Sequence, residues 1–74
     1  MNAAELAKQA ALSTADFGKA LSPLVVLKLE LAFVSQWVDQ QDDSIDPAKV
    51  LKTAREAMGA LRHVYEMQHG PIHA

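Results

Sequence analysis

The chain has no cysteine, which excludes disulfide staples and thiolate metal sites and leaves the redox compartment open. Aromatic residues are scarce, with two phenylalanines, one tyrosine and one tryptophan. Any core must therefore be built from aliphatic side chains. Alanine and leucine dominate, a composition that favours helices packed close together. No basic excess is present: the formal net charge is −2, so nothing draws the chain to nucleic acid in general. The richest apolar run is shorter than the ~20 residues that span a bilayer and carries Lys28 and Glu30 near its middle, which excludes a membrane helix. The first twelve residues lack a charged region followed by an apolar core. No secretory leader is expected, and the cytoplasm is the expected location.

What is present is organised around residues 22–40. Ser22 can cap a helix, and Pro23 falls at the first helical position, where the missing N–H costs nothing. The apolar pattern runs on to Val38, too long for a strand in a chain with no second strand-like segment. At roughly 100° per residue, Lys28, Ser35, Gln36, Asp39 and Gln40 gather on one side, opposite Val26, Leu27, Phe33, Val34, Trp37 and Val38. Leu24, Leu29, Leu31 and Ala32 fill the flanks. So wide an apolar surface suits a helix covered from more than one direction.

Upstream, Asn2 and Glu5 have the spacing of a capping box that opens a helix through about Leu12. Ser13 or Thr14 then caps a second short helix carrying Phe17, Ala20 and Leu21, or the whole segment 1–21 is one bent helix. Downstream, residues 41–46 form a polar turn. Asp46 and Pro47 repeat the cap-and-proline device and open a helix over residues 47–68. Its apolar face is Val50, Leu51, Ala54, Ala57, Met58, Leu61, Val64 and Tyr65. Gly59 either admits a close neighbour or is a slightly costly exposed position. Gly70 and Pro71 end the helix, and residues 69–74 are a tail.

The expected fold class is all-α, one domain over residues 1–74: a small helical bundle built on an antiparallel hairpin of residues 23–40 and 47–68. The N-terminal segment, with few large apolar residues, is a thin cover for the rest. A second copy of the chain is expected to complete the bundle as a homodimer, the two central helices near its axis.

Chemistry is thin. His63, His69 and His73 invite a metal site, but Gly70 and Pro71 separate the last two and no compact carboxylate–histidine set accompanies them. The acidic turn lacks the glycine of a calcium loop, and the twelfth position from Asp42 is Thr53 rather than glutamate. There is no glycine-rich phosphate loop and no recognisable triad. No enzyme activity, cofactor or metal is expected. Glu30 stands out, a carboxylate on the most apolar helix, expected either to pair with Arg55, Arg62 or a second copy, or to meet a partner.

Residues 6–21 resemble a helix-turn-helix. Ala7 would face the second helix, Leu12 and Ser13 would form the turn, and Phe17 would anchor the recognition helix. Ala11 stands where the turn glycine usually sits. The resemblance implies a DNA-binding transcriptional regulator, with Thr14 and Lys19 as first contacts. The would-be recognition helix carries only one base, Lys19, against one acid, Asp16. Phosphate contacts would therefore be few, and nucleic acid is not the expected partner. The main expectation is a small homodimeric regulator or inhibitor that binds another protein, with Phe17, Leu21, Leu24 and Glu30 at the interface.

Overall fold

The computed structural model describes residues 1–72. Its described residues form three α-helices and no strand: α1 (Ala3–Thr14), α2 (Pro23–Asp39) and α3 (Pro47–His69), with a 3₁₀ turn at Ala15–Lys19. Each α-helix begins at a side-chain cap. Asn2 Oδ1 accepts from the Glu5 N–H at 2.8 Å, Ser22 Oγ from Val25 at 3.4 Å, and Asp46 Oδ1 from Ala48 at 3.0 Å. Prolines 23 and 47 both occupy the first helical turn, where no N–H is required.

The helix ends are equally local. Gln41 closes α2 by donating from Nε2 to the Trp37 carbonyl at 2.8 Å. Asp42 then shapes the connection, its Oδ1 accepting from the Ser44 N–H at 2.9 Å. Gly70 closes α3 with φ 86° and ψ −179°, its N–H donating to the Glu66 carbonyl at 2.8 Å. That backbone conformation is open to glycine and strained for any other residue.

Of the two readings of the N-terminal segment, the single bent helix is the nearer: α1 does not stop near Leu12 but runs to Thr14 and passes directly into the 3₁₀ turn at Ala15–Lys19, with no separate short α-helix before α2. The physical reason lies in the two hydroxyls. Ser13 Oγ donates back to the Ala10 carbonyl at 2.8 Å, and Thr14 Oγ1 to the carbonyls of Ala10 and Ala11 at 3.3 and 3.2 Å. Both extend the helix behind them instead of capping one ahead. Thr14 makes no side-chain cap to the 3₁₀ turn. α3 ends one residue later than expected, at His69, and residues 73–74 of the expected tail, including His73, lie outside the described residues.

One core joins all three helices. Leu6 and Ala10 of α1, Leu27 and Val34 of α2, and Ala54, Ala57 and Leu61 of α3 form a single buried cluster. Leu6 and Val34 are the largest side chains with no exposure. Burial of each contributes about 1.5–3 kcal/mol. Ala3, Ala7, Leu31, Phe33, Trp37, Val38, Met58 and Tyr65 pack around that cluster. α1 touches α2 and α3 alike, so its short apolar stripe is sunk fully rather than lying as a thin cover. Lys28, Ser35, Gln36, Asp39 and Gln40 all face solvent.

Gly59 is exposed, and a Cβ added there meets nothing within 4 Å. The glycine makes no room for a neighbour and only weakens the helix. Gly59→Ala should stabilise the fold by about 0.5–1 kcal/mol, read as a higher midpoint in thermal unfolding. An unchanged or lower midpoint would mean that Gly59 approaches something the isolated chain does not contain.

Candidate functional site: an apolar groove with one carboxylate

Small residues leave an opening beside the core. Ala7 and Ala11 are one turn apart on α1, Gly18 lies in the 3₁₀ turn, and Ala60 sits on α3. Together they fail to fill the space between α1, the start of α2 and the second half of α3. The result is an open groove of about 520 Å³, whose apolar wall is continued by Leu21, Val26, Leu61 and Val64. Val64 is 52% exposed although it lies on the apolar stripe of α3. Polar groups are confined to Lys8, Glu30, Tyr65, Gln68 and His69.

Glu30 is the unusual member. It is half-buried on α2, and burial pushes its carboxyl above the ordinary carboxylate range. The expected intramolecular salt bridge is not formed. Arg55 lines a second, smaller hollow with Ser35, Val38, Asp39, Leu51, Ala54 and Met58, away from Glu30. Arg62 points to solvent. In the same groove, the rings of Tyr65 and His69 lie 5.0 Å apart at a 42° tilt.

Of the four residues expected to bind a partner, the groove brings together Leu21 and Glu30. Phe17 and Leu24 are not in its lining; each is exposed (51% and 39%) and adjoins a lining residue, Gly18 and Pro23 respectively. The sequence reading missed Ala7, Ala11, Ala60 and Val64. The available signal was a row of small residues running beside each core stripe, Ala7 and Ala11 next to Leu6 and Ala10, and Ala60 next to Leu61. Small residues beside a core stripe remove volume where two helices would otherwise meet.

Every side-chain hydrogen bond among the described residues links positions two to four apart, so none joins Glu30, Tyr65 and His69 into a proton relay. No group of three or more metal-ligating side chains occurs among the described residues, and no helix among them is long and apolar enough to cross a membrane. The stretch resembling a helix-turn-helix lacks the turn. α1 continues through Ala11, Leu12 and Ser13, and among the described residues only Gly70 has positive φ. Ala11, without glycine's freedom, remains helical and lines the groove. The sequence matches no family model, and no curated protein or solved structure matches it.

A raised carboxyl pKa has a defined effect on stability. The folded chain takes up the Glu30 proton at a higher pH than the unfolded chain does. The ionised form therefore lowers stability at neutral pH, and the loss is relieved as pH falls through the raised pKa toward the ordinary range. Glu30→Gln should raise the thermal midpoint at pH 7, by an increment that shrinks as the pH is lowered through that window. A midpoint lowered at pH 7 would show that the carboxylate has a stabilising partner.

Proposed function

We propose that the protein is a small cytoplasmic helical regulator or inhibitor that acts by holding a segment of another protein, with no catalysis of its own. The observation that supports this reading is the groove: an open, largely apolar concavity formed by all three helices and containing one unneutralised carboxylate. Its size and lining suit the few apolar anchors that carry most of the energy at interfaces. Leu21 and Glu30 would make direct contacts, with Phe17 and Leu24 on the adjoining rim.

The bundle is proposed to rest on an antiparallel α2–α3 hairpin. Two sets of neighbours support that arrangement. Ser35, Val38 and Asp39 near the end of α2 share a hollow with Leu51 and Ala54 early in α3, whereas Pro23 and Val26 at the start of α2 share the groove with Ala60 and Val64. A homodimer is proposed through the outer side of α2, where Val25 and Ala32 remain exposed beside half-buried Leu29. A second copy would cover these and leave the groove free.

Ala60→Trp tests the groove, because it fills the opening from an exposed position without entering the core. Tagged wild-type protein should retain a specific protein that the Ala60→Trp variant, with an unchanged melt, does not. Leu21→Ala should weaken retention, and Phe17→Ala and Leu24→Ala should do so less. Retention of duplex DNA instead, declining steeply with added salt, would favour the alternative of a DNA-binding regulator.

The assembly has a separate test. Sedimentation at micromolar concentration should report twice the 8.0 kDa chain mass, and Val25→Glu should return it to that of one chain. A wild-type monomer would remove the dimer from the proposal without touching the groove.

A further inference from the structure

The position of Glu30 constrains what can occupy the groove. No side-chain hydrogen bond among the described residues reaches its carboxylate, and no fully buried side-chain oxygen or nitrogen among them is left without a partner. Its oxygens therefore keep their water by opening into the groove. An occupant made only of apolar atoms would remove that water and strand a charge, which is costly. Nothing within the groove offsets the loss. Lys8 is solvent-exposed on α1 and does not lower the Glu30 pKa. Tyr65 and His69 stack with each other rather than bonding to Glu30.

The structure assigns the groove to a partner segment that carries a lysine or arginine among apolar residues, the cation meeting the Glu30 carboxylate while its neighbours meet Leu21, Val26 and Val64. This deepens the proposed protein-binding function and rests on it. Hydrogen bonds between ions are stronger than neutral ones, and a desolvated apolar surround strengthens them further. The carboxylate that destabilises the empty groove thereby becomes the feature that discriminates among occupants. A segment with glutamate or aspartate at that point is rejected by like charge, and one with leucine there leaves Glu30 unpaired.

The test uses random peptides displayed on phage and selected on the folded full-length protein. Peptides that bind wild type but not Ala60→Trp occupy the groove. Among these, a lysine or arginine flanked by apolar residues should recur. Glu30→Gln should weaken their binding by about tenfold or more, as expected for loss of a hydrogen bond to a charged group. Peptides whose cation is replaced by methionine should lose this preference and bind Glu30→Gln more tightly than wild type, because only the wild-type carboxylate is stranded by an apolar occupant. Groove-dependent peptides without a recurring cation, or with binding indifferent to Glu30→Gln, would overturn the cationic anchor and leave the groove as a docking site. Selected peptides that all bind Ala60→Trp as well as wild type would overturn both.

Discussion

The three helices depend on the burial of a few aliphatic side chains at one place. Leu6 from α1 and Val34 from α2 meet the small, flat surface of α3 at Ala54, Ala57 and Leu61. The two alanines allow α3 to lie close, and Leu6, Leu27, Val34 and Leu61 supply the large apolar side chains removed from water. No polar tie among the described residues reaches beyond four positions along the chain. Hydrogen bonding shapes each helix, while hydrophobic burial alone decides how the helices associate. In a chain this short, that division leaves little reserve.

The groove follows from the same economy of volume. Residues that bring the helices together at the core, alanine above all, are repeated one position to the side, where they leave the space beside the core unfilled. Ala7, Ala11 and Ala60 thus open the space that Leu6, Ala10 and Leu61 close beside it. A charged residue can sit near the core of so small a protein because that opening keeps it wet. The fold and the candidate site are two outcomes of one helix geometry.

Much of the fold was legible in the sequence because its signals are local. Asn2, Ser22-Pro23 and Asp46-Pro47 mark helix starts by chemistry confined to four residues, and all three starts are found as read. The polar side of α2 was equally readable, since it depends only on helical period. The end of α1 was not. Ser13 and Thr14 can bond forward as caps or backward as extensions, and composition alone does not choose between them. The depth to which Leu6 and Ala10 are buried was also hidden, because a narrow stripe looks weak until the alanines opposite are known to admit it. For the site, Glu30 was found as a carboxylate on the most apolar helix and Leu21 by its place at the thinly covered junction before α2, whereas Ala7, Ala11 and Ala60 contribute by what they leave empty.

The walls of the groove come from opposite ends of the described chain: Ala7 and Lys8 from the first helix, Gln68 and His69 from the close of the last. α1, with only twelve residues, is too short to persist as a helix on its own in water. The groove thus comes into being only when the first helix has docked on the last, and it is lost as soon as they part. Anything seated there braces the two ends against each other. Occupancy is thereby linked to folding itself, so the occupied protein frays and unfolds less readily than the empty one.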